Sequence, residues 1–258
     1  MIATRLNPLA TARCAVLVAV LLAFDVPNAA GVCTDPPASG VIWIGCDKHN
    51  ADLRGAVLDH AVLTHSHLAG ANLAGADLTG SDLNFSQLNA AHLEGARLSS
   101  ATLVGADLRQ ASLIGALLDG VRLDRALLEE AILDHAHLNG ASLYDARAHK
   151  VRLPEAELNG AILDQSDLRD ANFVGASLRK ASLIQSQLEG AQLCHANLEK
   201  ARFDRARLSG ADLTGANLSG ASLAGADLTG THLEGAQLDN TIWSDHHRCK
   251  PGDVSTCQ

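Results

Sequence analysis

Aromatic residues are nearly absent from this 258-residue chain, which has two Trp, one Tyr and four Phe. A core anchored on large rings is therefore excluded, and aliphatic side chains must fill the interior. Proline occurs six times, but only Pro154 falls between Ala51 and Trp243. There is no Walker loop and no dinucleotide fingerprint, which removes the usual phosphate-binding readings. Long apolar runs are also missing: Ala15 to Phe24 is the longest and is too short to span a bilayer.

What the chain does have is a period. From Ala51 to Trp243 a five-residue unit repeats thirty-nine times without insertion or deletion, as in ADLTG-ANLSG-ASLAG-ADLTG, which ends at Gly230. Leu holds the third position of thirty-five units, the exceptions being Ala148, Phe173, Phe203 and Trp243. Ala holds the first position of thirty. A fixed short period marks a solenoid. Ala and Leu stand two apart, which is strand spacing, so both face one way. A helix does not fit, because five residues turn it by roughly 500° and the Leu positions would walk around the cylinder. All eighteen glycines of the array fall at the fifth position, which predicts a corner with backbone angles that a Cβ disfavours. Val41 and Trp43 keep the same phase, so a degenerate coil is expected to begin near Val41.

The units ADLTG, ANLAG and ANLSG resemble the consensus A-(D/N)-L-x-x of the pentapeptide-repeat family. The resemblance covers about three quarters of the chain. It implies an all-β fold, a right-handed quadrilateral parallel β-helix with one repeat per side and about ten coils. At roughly 4.8 Å per stacked strand the rod would be about 45 to 50 Å long.

Four segments follow. Residues 1–30 read as a secretory signal peptide: Arg5 and Arg13, an apolar stretch, then the small residues Ala29, Ala30 and Gly31. The expected localisation is therefore exported, periplasmic or extracellular. Val32 before Cys33 makes a poor lipoprotein box. Residues 31–50 form an N-terminal cap segment, 51–243 the repeat array and 244–258 a cysteine-bearing tail. Cys33 with Cys46, and Cys249 with Cys257, bracket the rod and are expected to pair as disulfides. Zinc is the rival for the tail, since His246 and His247 add donors beside Cys249 and Cys257. Cys194 follows a central Leu and should face outward as a lone thiol, one that could cross-link two chains. Trp43 and Trp243 are expected to close the two ends of the Leu column.

Without the first thirty residues, eighteen Lys and Arg stand against twenty-eight Asp and Glu, a net of −10. This opposes direct binding to nucleic acid. His65/His67 and His135/His137 have metal-like spacing, but three and a half coils separate them, and both pairs read as solvated surface. No catalytic residue, metal ligand or cofactor is assigned. Stacking outward residues at intervals of twenty places Arg109, Glu129, His149, Arg169 and Glu189 in one column, with Glu130, Arg147, Lys150 and Asp170 beside it. Mostly alternating signs predict an ion-pair ladder. Arg109, Glu129, Arg147, Lys150 and Arg169 are the candidate interaction face, because Ala148, Val151 and Pro154 interrupt the pattern there. A void or an inward pull is expected at Ala148, and a lost sheet donor at Pro154. Leu117, Leu127, Ile132 and Ile162 point outward on several sides and form no single patch. The expected function is a non-catalytic scaffold offering a binding or spacer surface to a protein partner. The alternative is the family's DNA-mimic role on a type II topoisomerase.

Overall fold

A computed structural model describes residues 33–250 and Cys257. The signal-peptide expectation lies outside these residues. Single-residue parallel bridges join each second-position residue to the one twenty residues on, from Ile42↔Val62 to Ser222↔Ile242. Four such segments and four turns close each coil. No α-helix occurs among the described residues, and no helix there is long and apolar enough to cross a membrane.

The five positions divide the work. Leu at the third position is fully buried through most of the rod, with Ala at the first packed beside it. Where Ser replaces Ala at 81, 86, 166 and 186, its hydroxyl donates to the Leu carbonyl three residues back, as in Ser81 to Leu78 (2.6 Å) and Ser186 to Leu183 (2.7 Å), while the buried Ser66 hydroxyl finds no partner among the described residues. A buried hydroxyl is thereby satisfied without a change of shape. The third-position N–H donates up to the next coil, as Leu163 does to Ser182, and the second-position N–H donates down, as Ile162 does to Ala141. The fifth-position N–H also donates up, and the first-position N–H closes the turn onto the Leu carbonyl.

Every fifth residue from Gly40 to Asn240 has positive φ. That angle at the third residue of a four-residue turn is the type II pattern. Non-glycine residues such as Phe85, Arg125 and Lys150 adopt it too, at φ near 58°. At Gly105 the glycine has a second use, since a Cβ there would stand 2.8 Å from the Phe85 ring one coil below.

The fourth-position N–H alone enters no backbone ladder. Asp or Asn at the second position accepts it, as Asp77 does from Thr79 (3.0 Å) and Asn172 from Val174 (3.0 Å). Elsewhere a fourth-position Asp or Asn one coil below accepts it, as Asp164 does from Ile184 (2.8 Å). This is the physical content of the D/N in the repeat. It also corrects the expectation for Pro154. A proline at the fourth position deletes no ladder donor, and its fixed φ suits the second residue of a type II turn. Nor does the backbone yield at Ala148, whose N–H meets the Asp167 carbonyl at 2.8 Å as its neighbours do theirs.

The ends differ from the coils. At the start Trp43 is fully buried, Lys48 Nζ lies 4.0 Å from its ring centroid, and the same Nζ donates to the Cys33 carbonyl (2.7 Å). Cys33 and Cys46 are disulfide-bonded. At the far end the chain reverses. Arg248 pairs antiparallel with Ile242, Trp243 N–H meets the His247 carbonyl at 2.8 Å, and Cys249 N–H meets the Thr241 carbonyl at 2.9 Å. Trp243 is only partly buried there, packed against the core. Cys249 and Cys257 are disulfide-bonded. The hairpin thus covers one segment of the last coil, where unpaired strand edge would otherwise invite another chain.

Candidate functional site

All five residues of the candidate face stand on one side of the rod, the side whose units begin at Cys46, Ser66 and every twenty residues to Ala226. Four of the five pair with an opposite charge, but not up the column. Arg109 turns back on Asp107 of its own unit through two bonds of 2.8 and 2.6 Å, and Arg169 does the same on Asp167. Glu129 reaches diagonally to Arg147 (3.1 Å) and Glu189 to Arg207 (2.7 Å). His149 lies 3.9 Å from Asp170, while Lys150 has no ion pair among the described residues. A guanidinium two residues from a carboxylate forms a bidentate fork within one turn, which a rung of the same column cannot match. These forks hold the Asp107 and Asp167 carboxyls below the usual range and raise both arginines.

The pairs repeat every three coils. Asp47, Asp107, Asp167 and Asp227 succeed one another at sixty-residue spacing, each accepting the N–H two residues ahead. The two Glu–Arg diagonals are also sixty residues apart. This interval, about 14 Å along the rod at one strand spacing per coil, is visible in the sequence when positions are compared at sixty instead of twenty. A shallow hollow of about 270 Å³ lies on this side, lined by Asn89, Arg109, Gln110, Glu129 and Glu130.

Other candidates resolve individually. Leu117, Leu127 and Ile132 are half-buried, and of that set only Ile162 is exposed. Of the six large exposed apolar residues among the described residues, Ile44, Phe85, Tyr144 and Ile162 share the side that carries Trp43, so exposed apolar surface favours one side while remaining spread along it. His65 stacks on Phe85 (5.3 Å between ring centroids) and His67 lies 3.2 Å from Gln87. His135 and His137 lie 3.4 and 3.5 Å from Glu155 and Glu157. Neither His pair belongs to a metal-competent group. Burial and the neighbouring Asp212 push the half-buried Cys194 thiol up to about 11. A thiol so held is protonated and a weak nucleophile, which opposes the cross-linking role.

A model of the family described as "Pentapeptide repeats" matches eight successive copies from residue 49 to residue 242. The chain belongs to the pentapeptide repeat family. Among solved structures, this pentapeptide repeat protein is similar to HetL of Nostoc sp. strain PCC 7120, a protein involved in heterocyst differentiation regulation. The two are 34% identical over 81% of this chain and 92% of HetL, at a TM-score of 0.49. It is also similar to QnrB1, a plasmid-mediated fluoroquinolone resistance protein, at 22% identity over 64% of this chain and 91% of QnrB1, with a TM-score of 0.53. A pentapeptide repeat protein of the Arabidopsis thaliana thylakoid lumen shares 25% identity over 48% of this chain and 69% of its own, at a TM-score of 0.22. No curated protein matches the chain.

Proposed function

We propose that this protein is an exported, non-catalytic scaffold, a right-handed quadrilateral rod that offers a binding or spacer surface to a protein partner in the periplasm or outside the cell. The observation that carries the reading is the local pairing of charge on the candidate face. Asp107–Arg109, Glu129–Arg147, Asp167–Arg169 and Glu189–Arg207 neutralise one another within a few ångströms. A partner meeting this side meets alternating dipoles, which select by geometry more than by net charge. The two disulfides agree with an oxidising compartment. Arg147, Lys150 and Arg169 are the residues to test. Reversing all three to Glu should abolish capture of the partner in a pull-down from the periplasmic fraction, and an unchanged capture would retire the face. N-terminal sequencing of the native protein should begin near Val32; a start at Met1 would remove the export reading.

The net charge, −9 for the full chain and −10 without its first thirty residues, favours a second reading, a DNA mimic acting on a type II topoisomerase. That reading requires inhibition in a gyrase supercoiling assay, lost when Asp212 and Asp227 are neutralised. The scaffold reading expects no effect at micromolar protein, since a mimic needs a row of uncompensated negative charge like that of the duplex.

A further inference from the structure

We propose that the C-terminal hairpin is a zinc site when its cysteines are reduced, with Cys249, Cys257 and His247 as ligands. One ligand atom from each of the three lies within 4.8 Å of the others, the only such metal-competent group among the described residues. Tetrahedral zinc with thiolate and imidazole ligands places those atoms about 3.5 to 3.8 Å apart, by its bond lengths of roughly 2.3 and 2.0 Å. Small side-chain movements reach that arrangement.

The backbone holds two of the three ligands in place. His247 and Cys249 stand two apart on the returning strand, so their side chains leave on one face. Trp243 N–H on the His247 carbonyl and Cys249 N–H on the Thr241 carbonyl tie that strand to the last coil. Both sulfurs are buried, which shields the site from competing water. A second observation concerns the imidazole. Asp245 Oδ1 lies in a short contact with His247 Nδ1 and also accepts the His247 backbone N–H (3.2 Å). A carboxylate on one ring nitrogen directs the lone pair of the other, here Nε2, outward to a metal, as in carboxylate–histidine–zinc triads.

Disulfide and metal exclude each other because each uses both sulfurs. With a phosphine as reductant, the S–S bond breaks, two thiols form, and the phosphine leaves as its oxide with oxygen from water. Zinc then displaces the two thiol protons to solvent and takes two thiolates and a neutral imidazole, with water in the fourth position. Cys257 is thus tethered to the returning strand in both redox states by different bonds.

The test uses the full chain carrying Cys194→Ser, titrated with zinc against a chromophoric chelator before and after phosphine reduction. Reduced protein should bind one zinc per chain at least 100-fold more tightly than oxidised protein. His247→Ala should weaken reduced binding by at least 10-fold, and Asp245→Asn by about 10-fold through loss of the orienting carboxylate. Circular dichroism of each variant checks that the coils persist, since both substitutions lie beyond the bridged array. Equal binding by oxidised protein overturns the proposal, as does reduced binding that His247→Ala leaves unchanged.

Discussion

Two stretches of the rod contrast in sequence. From Gly210 to Gly230 every unit keeps Ala first, Leu third and Gly fifth. From Ala146 to Glu155 the chain has Ala148 for Leu, Val151 for Ala, Lys150 and Glu155 for Gly, and Pro154. In geometry they agree. Arg152, Leu153 and Glu155 donate to Ala131, Asn172 and Val174 at 2.9, 2.7 and 3.0 Å, and Asp212, Leu213 and Gly215 donate to their counterparts at 2.9, 2.8 and 2.9 Å. Glu155 has φ 56° where Gly215 has 66°. The fold therefore polices positions, each for one physical demand, and a residue that meets the demand is accepted whatever its rarity.

The sharpest way to break this comparison is within one unit. Arg152→Pro removes the N–H that meets the Ala131 carbonyl and should cost about 3 kcal/mol or more. Pro154→Ala should cost less than about 1 kcal/mol, mostly through a freer unfolded chain. Denaturant unfolding of the two variants decides it, and equal losses would refute the positional account. Next is the Leu column. Leu168→Ala should lose about 2 to 5 kcal/mol. Ala148→Leu, one coil below, should gain about 1 kcal/mol by filling the missing volume. A loss there would mean that neighbouring side chains already close the space.

Fifth-position substitutions are expected to be smaller. Lys150→Gly should stabilise by about 1 kcal/mol, because a Cβ in the left-handed region costs roughly that much. Gly115→Ala should lose a similar amount, since a Cβ at Gly115 meets nothing within 4 Å and only the angle is strained. The smallest effects are in acid. Hydrogen bonds from Cys194 and Thr214 hold the Asp212 carboxyl at about 2. A carboxyl below its unfolded value of about 3.9 stabilises the fold fully above that pH and loses the contribution as pH falls toward 2. Thermal melts should thus fall between roughly pH 4 and 2. Asp212→Asn, which keeps an acceptor for Thr214 but cannot ionise, should lower the neutral melt by about as much as acid takes from the parent at this site, and reduce the acid-side drop.

Much of the rod was legible in its sequence because the period is a direct record of the coil. The buried Leu column, the left-handed fifth position, the cap Trp43 and both cysteine pairs follow from phase and spacing alone. Three things did not follow. The partners of Arg109 and Arg169 depended on whether a long side chain prefers its own unit or the next coil, which spacing at twenty cannot rank. The tolerance of Pro154 required knowing which N–H stays out of the ladder. The returning hairpin at His247 and Cys249 lies beyond the period, where no repetition marks a strand.

The bridges between residues twenty apart have a consequence for how such a chain can grow. Inserting a single unit of five leaves every ladder bond available, so folding should tolerate it. Yet everything beyond the insertion moves one side around the axis, and Asp167 with Arg169 would no longer stand above Asp107 with Arg109. Only a gain of four units restores which residue stands over which. Length and surface in this molecule thus change in different quanta, and descendants that share a fold need not share a face.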